Sequence, residues 1–386
     1  MRSVNFIANN EVTLLEGGLT LFPAMLAAID AAQYDIYFET YIFANDATGG
    51  QVEAALIRAG QRGVRVHVVT DWWGTGHQQC LRLRMAFAGA DVRFRAFNMW
   101  FKRGVTRTHR KITVIDRELA FVGGINVNDD WYCDYDAERR LPAPRWDFAV
   151  QVSGPLVATI HHEMQVQWAR VGHLGFMKRI GLFREMRRQL PGDDDKPTVA
   201  AFVVRDSLRN RHTIQRAYLH AIGRAKKSVL LVNPYFAPGH KFRKALAMAG
   251  ERGVEVKLLI GVGEIWLQDM VARSFYPKLL ASGVKVYEYR KTQLHAKVAV
   301  IDDDWSTVGS SNCDGLSLFL NQEANIVVRD HDFAAAMRAQ VLRGFADGTP
   351  ICSEEFGNVG WVRRAGYEIA YFFYRMTMRI FAIGYA

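Results

Sequence analysis

One pattern occurs twice in the chain, as THRKITVID at residues 108–116 and as LHAKVAVID at residues 294–302. Each copy has a histidine, a lysine two positions later and an aspartate five positions after the lysine. These residues are His109, Lys111 and Asp116 in the first copy and His295, Lys297 and Asp302 in the second. Because residues two apart in a strand project from the same face, each histidine and its lysine point together, while the apolar residues at alternate positions face the core. Each aspartate falls where its strand ends and a turn begins, which favours a structural role over direct chemistry.

The repetition extends well beyond these two strands. Gly123 and Asn126 follow the first copy at the same offsets at which Gly309 and Asn312 follow the second. The segment QRGVRV at residues 61–66 also returns, as ERGVEV, in the later part of the chain. Within each half, helical patterns alternate with apolar strands, which predicts an α/β fold in which helices flank a sheet.

The duplication divides the chain into four predicted parts. Residues 1–191 form an N-terminal half with the first motif, and residues 198–350 form a C-terminal half with the second. Residues 192–197, GDDDKP, have the turn-forming composition of a linker. Residues 351–386 are predicted to be an apolar C-terminal helix that could contact a membrane.

The composition narrows the class of partner. The chain of 386 residues has a formal net charge of +10, which favours an anionic partner, either nucleic acid or an acidic membrane. Its four cysteines form no CxxC pair, so we expect neither a disulfide framework nor a zinc site. No signal-peptide segment and no apolar run of membrane-spanning length occurs, so we expect any membrane contact to be peripheral.

The paired motifs suit phosphoryl chemistry. One neutral imidazole can attack phosphorus and form a phosphohistidine, and the other, when protonated, can donate to the departing alkoxide. The lysines and the amides of Asn126 and Asn312 can stabilise charge on the phosphate oxygens. No carboxylate cluster has the pattern of a Mg²⁺ or Ca²⁺ site, so we expect no metal and no cofactor. Each histidine also needs an acceptor for its second nitrogen, and Asp147 and Glu323, which open the apolar strand after each motif, are the candidates.

Seven segments resemble the phospholipase D superfamily, and in particular the bacterial cardiolipin synthases of the short B type. They are ETYIF (39–43), THRKITVID (108–116), FVGGIN (121–126), YFAPG (235–239), LHAKVAVID (294–302), TVGSSN (307–312) and LNQEANIVV (320–328). The resemblance covers most of the chain, approximately residues 10–345. It implies two pseudo-symmetric halves, each a mixed β-sheet flanked by helices, with one active site at their interface.

The resemblance also implies a reaction, the transfer of a phosphatidyl group from one phosphatidylglycerol to another with release of glycerol. The implied catalytic residues are His109 as nucleophile, Lys111, Asp116, His295 as acid and base, Lys297 and Asp302. Ser310 joins Asn126 and Asn312 as an implied phosphate-binding residue. Gly124 stands where the second half has Ser310, so the two half-sites are not equivalent.

Three segments are candidates for membrane contact. Residues 94–103 mix aromatic and basic side chains, a composition that suits an anionic membrane, nucleic acid or a solvated loop alike. Residues 173–190 predict an amphipathic helix that could lie in the membrane interface or pack on the domain. Residues 366–386 contain few charges, which share one narrow stripe of a helix; this pattern predicts deep burial, either in lipid or against protein.

We therefore expect anionic phospholipid, namely phosphatidylglycerol and cardiolipin, as substrate and product. The expected location is peripheral, at the cytoplasmic face of the cell membrane, and nucleic acid is not the expected partner. The alternatives are a phospholipase D-type hydrolase, a metal-independent nuclease of the same superfamily, and a binding module without catalysis. Transfer and hydrolysis differ only in whether a lipid hydroxyl or water meets the phosphoenzyme, so the residues leave that choice open, and they leave the oligomeric state open as well.

Overall fold

The computed structural model describes residues 4–172, 198–206, 210–352, 354 and 359–381. The predicted linker at residues 192–197 and the predicted helix at residues 173–190 lie outside the described residues. Helices and strands alternate through both halves, which confirms the predicted α/β class.

The first half is built on a parallel group of strands joined by helices. Its elements are β1 (Ile7–Glu16), α1 (Gly18–Ala31), β2 (Asp35–Thr40), α2 (Ala47–Gln61), β3 (Arg65–Asp71), α3 (His77–Ala88), β4 (Arg93–Phe97), a 3₁₀ turn (Met99–Phe101), β5 (Lys102–Val105), β6 (Ile112–Ile115), β7 (Leu119–Gly123), β8 (Tyr132–Cys133), β9 (Asp136–Arg140), β10 (Phe148–Ser153) and α4 (Leu156–Val171). Because α2 and α3 carry the chain back across the sheet, β2, β3 and β4 run parallel. The first motif enters the sheet as β6, antiparallel to β2.

The second half repeats this arrangement. Its elements are β11 (Thr198–Arg205), α5 (Thr213–Arg224), β12 (Ser228–Asn233), β13 (Phe236–Ala237), α6 (His240–Glu251), β14 (Glu255–Gly261), α7 (Trp266–Arg273), α8 (Tyr276–Ala281), β15 (Lys285–Tyr289), β16 (Val298–Ile301), β17 (Trp305–Gly309), β18 (Cys313–Asp314), α9 (Gly315–Phe319), β19 (Glu323–Arg329), α10 (His331–Ala346), β20 (Thr349–Pro350) and α11 (Trp361–Phe381). Here β12, β14 and β15 run parallel, and the second motif enters as β16, antiparallel to β12.

The two halves share one 15-stranded sheet. The order β1-β10-β7-β6-β2-β3-β4 in the first half is repeated by β11-β19-β17-β16-β12-β14-β15 in the second, and β20 pairs at the edge. At the junction β1 pairs antiparallel with β11, with Ile7 opposite Ala200 and Asn10 opposite Thr198. The register shifts between these two pairs, and Asn9 lies in the left-handed region with φ 63°. This irregularity marks the point where β1 passes from one half to the other.

One apolar core is common to both halves. It contains residues of β6, β7, β10 and α4 from the first half together with residues of β16, β17, β19 and α10 from the second. Two further cores lie one in each half, under α1, α2 and α3 and under α5 to α8. The shared core holds the two motif strands, β6 and β16, in a fixed relation, so one site can form where the halves meet.

The C-terminal helix α11 has two different long faces. Ala370, Tyr371, Tyr374 and Met378 pack on the core of the second half, and the Tyr374 hydroxyl accepts a hydrogen bond of 2.7 Å from the amide of Gly315. The opposite face is apolar but exposed. A single helix on the domain surface can bury only one side against protein, so burial of the other face in lipid stays a prediction. Among the described helices none combines the length and the apolar character that a bilayer span needs.

Asp116 and Asp302 occupy equivalent turns at the far ends of β6 and β16. The Asp116 carboxylate accepts hydrogen bonds from the amides of Gln33, Tyr34 and Asp35 at 2.7–3.0 Å. The Asp302 carboxylate accepts from the amides of residues 226–228 at distances of 2.8–3.2 Å. Both residues have φ near 50°. Each aspartate thus ties the end of its motif strand to the turn that begins the neighbouring antiparallel strand, β2 or β12.

We predict that Asp116→Ala lowers the free energy of unfolding by about 2 kcal/mol, because backbone donors lose charged acceptors. Asp116→Asn should cost less, since asparagine keeps one acceptor and tolerates the left-handed backbone. Urea denaturation followed by circular dichroism measures both. An unfolding free energy that Asp116→Ala leaves unchanged would contradict this role.

Candidate active site

The two histidines are held by backbone hydrogen bonds from opposite halves. His109 lies three residues before the motif strand β6, and its amide donates to the carbonyl of Gln322 at 2.9 Å. The amide of His295 donates to the carbonyl of Trp146, also at 2.9 Å. The two imidazole centroids lie 6.5 Å apart. A tetrahedral phosphate group fits between rings at this separation, so the geometry allows both to reach one phosphorus atom.

The side-chain hydrogen bonds of the two histidines also join the two halves, as their backbone hydrogen bonds do. Nδ1 of His109 lies 3.1 Å from Oε2 of Glu323 and 3.1 Å from the carbonyl of Ser310, both in the second half. Nδ1 of His295 lies 2.6 Å from Oδ2 of Asp147, in the first half. Each acid therefore contacts a histidine, as the sequence predicts, but it is the histidine of the other half. A carboxylate that accepts from Nδ1–H fixes the tautomer and leaves Nε2 for chemistry.

Burial shifts the pKa values of both histidines and of Glu323. Burial and the ammonium of Lys111 hold the pKa of His109 below its ordinary value, and Glu323 opposes them. Burial and Lys297 hold the pKa of His295 well below its ordinary value. Burial raises the pKa of Glu323, but His109 and Lys111 more than compensate, so that this acid stays ionised.

The two lysines lie beside the histidines that precede them. Nζ of Lys111 donates to the carbonyl of His109 at 2.7 Å, and Nζ of Lys297 donates to the carbonyl of His295. Burial and the charge of Lys297 lower the pKa of Lys111 to about 7. The two buried ammonium groups repel each other, and an anion placed between them would relieve that repulsion.

The predicted phosphate-binding residues divide into two classes. Asn126 and Asn312 are buried; Oδ1 of Asn126 accepts from the amide of Ile42, and Oδ1 of Asn312 has no partner among the described residues. The hydroxyl of Ser310 instead donates to Oε2 of Glu323 and accepts from the amide of Ala324 at 3.0 Å. The predicted phosphate contact of Ser310 is thus replaced by a contact with the acid that orients His109.

The first half has no room for a matching hydroxyl. A Cβ atom at Gly124 would lie 2.4 Å from Oδ1 of Asp147. Glycine at this position lets the Asp147 carboxylate lie against the backbone and reach His295. The difference between Gly124 and Ser310 therefore reflects two ways of holding the orienting acid.

Asp116 and Asp302 are not part of this group. They lie beyond the far ends of the motif strands, where their carboxylates bond backbone amides of turns. The catalytic role that the resemblance implied for them is corrected to a structural position. Among the described residues, no group of three or more histidine, cysteine or acidic side chains is arranged to hold a metal ion.

Other residues lie at the site that the motifs did not single out. The ring of Tyr41 lies 5.0 Å from that of His109, and the hydroxyls of Tyr135 and Tyr235 are hydrogen-bonded to each other across the two halves. Tyr41 and Tyr235 follow equivalent apolar strands, so the repeat carried a signal for them. Asp134 lies with Oδ2 at 3.7 Å from Nε2 of His295. It belongs to the β8–β9 loop, for which the described part of the second half has no counterpart hairpin, so the repeat gave no signal for it.

Comparison with known proteins identifies the family. The sequence signature described as "Cardiolipin synthase, PLD-like domain" matches residues 25–151 and 218–343. "Cardiolipin synthase B" of Salmonella typhi is 39% identical over 341 residues, which cover 85% of this chain and 79% of that protein. The protein of the same name from Escherichia coli (strain K12) is 37% identical over 338 residues, with the same coverage.

Solved structures agree on the fold. The crystal structure of phosphatidylserine synthase from Haemophilus influenzae Rd KW20 matches with a TM-score of 0.72 at 14% identity, and covers 98% of this chain and 96% of that chain. Polyphosphate kinase from Porphyromonas gingivalis matches with a TM-score of 0.57 at 14% identity, over 96% of this chain and 56% of that chain. At this identity the structures support the fold alone, whereas the sequence relatives establish the family. The chain belongs to the cardiolipin synthase family of phospholipase D-like phosphatidyltransferases.

Proposed function

We propose that the enzyme makes cardiolipin by moving a phosphatidyl group from one phosphatidylglycerol to a hydroxyl of a second, through a phosphohistidine on His109. The observation that carries this proposal is the pair of imidazoles 6.5 Å apart, each with Nδ1 held by a carboxylate of the opposite half. This arrangement presents two reactive nitrogens to one phosphodiester.

In the first step, Nε2 of His109 attacks phosphorus and the bond from phosphorus to the glycerol oxygen breaks. The proton on Nε2 of His295 passes to that oxygen, so glycerol leaves as a neutral alcohol. The ammonium groups of Lys111 and Lys297, together with the amides of Asn126 and Asn312, stabilise the charge that builds on the non-bridging oxygens. Loss of one such donor typically slows a reaction by about 100- to 1000-fold.

In the second step, His295 is neutral and takes a proton from the hydroxyl of the incoming phosphatidylglycerol. The new oxygen–phosphorus bond forms while the phosphorus–nitrogen bond to His109 breaks. Both histidines return to their starting protonation states, so one cycle consumes two phosphatidylglycerols and releases one glycerol. Water at the same position would give phosphatidic acid instead.

We also propose that the enzyme works as a peripheral protein on anionic bilayers, through a surface that we name the apolar rim. Its members are large apolar side chains that are exposed in both halves. They are Trp73, Trp100 and Phe101 in the first half and Trp266, Leu267, Ile369, Phe372, Phe373, Met376 and Ile380 in the second.

The position of the apolar rim supports a role at the site entrance. Trp73 follows β3, whose last residue, Asp71, accepts a hydrogen bond of 2.9 Å from the amide of Thr108, next to His109. Trp266 begins α7, shortly after β14, which ends at Gly261; a Cβ there would lie 3.1 Å from Cβ of Leu294, next to His295. α11 packs on α7, so its exposed face continues this surface. These connections support a rim on the side of each half from which its histidine is reached.

Charge and backbone support the same partner. Arg375 and Arg379 are exposed on α11 and adjoin its apolar stripe at helical spacing, and cations at this level contribute about 1 kcal/mol each on an anionic membrane. In the first half Asn98, Trp100 and Phe101 all have positive φ, a strained turn that holds two aromatic rings in solvent. Amphipathic surfaces with aromatic and basic side chains bind at the headgroup level of such bilayers.

The reaction is tested with vesicles of phosphatidylglycerol as the sole substrate. We predict cardiolipin and free glycerol in equal amounts, measured by mass spectrometry, and background activity for His109→Ala. Phosphatidic acid without cardiolipin would identify a hydrolase. Cleavage of DNA in EDTA without any activity on the vesicles would identify a nuclease.

The membrane surface is tested separately with Phe373→Ser/Ile380→Ser. These side chains are 62% and 70% exposed, so the protein should fold normally. We predict a loss of roughly 2 kcal/mol, about 30-fold in the partition coefficient onto phosphatidylglycerol vesicles in a sedimentation assay.

The matched control for this surface is Met85→Ser. Met85 is 77% exposed, but it lies in the second half of α3, which leads away from the histidines towards the start of β4. Its substitution should leave partitioning unchanged. Equal partitioning of the double variant and the wild type would remove α11 from the proposed surface.

A further inference from the structure

The two histidines differ in the acids around them, although the halves that carry them are equivalent. His295 has Asp147 at Nδ1, 2.6 Å away, and Asp134 at Nε2, 3.7 Å away. His109 has Glu323 at Nδ1, and no other described acid lies within ion-pair distance of its ring. One imidazole is therefore flanked by carboxylates on both nitrogens and the other on only one.

Asp134 is built to present one oxygen to His295. Its side chain is 3% exposed. Oδ1 accepts a hydrogen bond of 2.7 Å from the side-chain Nδ2 of Asn128 and pairs with the guanidinium of Arg145 at 3.3 Å. Oδ2, the atom nearest His295, has no hydrogen-bond partner among the described residues. A buried carboxylate oxygen without a donor is costly, so a proton or a hydroxyl at this position would stabilise the site.

The protonation state of His295 decides whether that oxygen is satisfied. Asp147 accepts from Nδ1–H, so in the neutral imidazole the lone pair of Nε2 faces Oδ2 of Asp134. In the imidazolium, an N–H bond faces each carboxylate. The separation of 3.7 Å is longer than a hydrogen bond. The attraction of the Asp134 carboxylate therefore favours a proton on Nε2, and that proton stays available for transfer.

We infer that Asp134 is a positioning residue that favours a proton on Nε2 of His295 over one on His109, and thereby makes His295 the acid and leaves His109 as the nucleophile. This inference rests on the two-step reaction proposed above. In the first step the proton moves from Nε2 to the leaving glycerol oxygen. In the second it returns to Nε2 from the incoming hydroxyl.

Asp134 opposes the depression of the His295 pKa. Burial and Lys297 hold that pKa well below its ordinary value, and among the groups that raise it Asp134 has the largest effect. Burial raises the pKa of Asp134 itself, but Arg145 and His295 more than reverse that effect, so Asp134 is ionised. The charged and titratable groups around the His295 ring are Asp134, Asp147, Lys297, Lys111, Arg145 and His109.

The test compares two leaving groups in Asp134→Asn. Glycerol needs a proton to leave from phosphatidylglycerol, whereas p-nitrophenol leaves from phosphatidyl-p-nitrophenol as a stable anion. We expect single-turnover release of glycerol to fall by about 100-fold or more, the usual contribution of a general acid. Release of p-nitrophenol should fall by less than about threefold.

Three reference variants complete the experiment. His295→Ala should show the same dependence on leaving group, and His109→Ala should release neither alcohol. Asp136→Asn, an exposed acid two positions along the same hairpin, should match the wild type with both donors. If circular dichroism shows that Asp134→Asn is unfolded, Asp134→Ser replaces it, and its release of glycerol is compared with its release of p-nitrophenol in the same way.

Equal slowing of both donors by a folded variant would make Asp134 merely structural, and no slowing would leave it without a role; either result overturns the inference. These outcomes are separable from failure of the proposed function. A wild-type enzyme that formed phosphatidic acid instead of cardiolipin would still give the leaving-group contrast. Release of both alcohols by His109→Ala would refute the two-step reaction itself.

Discussion

The crossed hydrogen bonds between acids and histidines are the constraint on which the rest of the structure depends. Glu323 of the second half holds His109 of the first, and Asp147 of the first half holds His295 of the second. Neither imidazole can be oriented unless both halves are folded and docked. The continuous sheet through β1 and β11 and the core shared by α4 and α10 supply that docking. The turn aspartates Asp116 and Asp302 bind backbone amides and so hold the ends of the motif strands that lie away from the histidines.

The duplication makes the two halves alike, but the proposed reaction needs two histidines with different roles. Two equal imidazoles would compete for the roles of nucleophile and acid, whereas a stepwise transfer requires one of each. The differences lie outside the repeated strands. Ser310 supports Glu323 where the first half has Gly124, and the β8–β9 loop contributes Asp134 to one histidine alone. The apolar rim is also unequal, with an aromatic turn in one half and a whole helix in the other.

Sequence reasoning reached the features that local periodicity and repetition encode. The alternation of polar and apolar residues in each motif predicted that histidine and lysine share a face of a strand, whereas β6 begins only at Ile112 and β16 only at Val298, so both pairs precede their strands. The positions of Asp147 and Glu323 marked them as acceptors. The sequence could not predict that each acid binds the histidine of the other half, because that depends on how the two halves dock. Ser310 was taken for a phosphate ligand because its bond to Glu323 is visible only in three dimensions. The narrow charged stripe of α11 predicted burial in lipid or against protein, but hydropathy alone could not say which face, that of Ala370 and Met378, packs on the second half.

The most direct test of the central claim, that both imidazoles act on one phosphorus atom, is covalent trapping in His295→Ala. Phosphatidyl-p-nitrophenol lets the first step proceed without an acid, and the missing base stalls the second step. Peptide mass spectrometry after alkaline quenching should then find the phosphatidyl group on His109. An unmodified His109 alongside a stoichiometric burst of p-nitrophenol, or a label on another residue, would contradict the account.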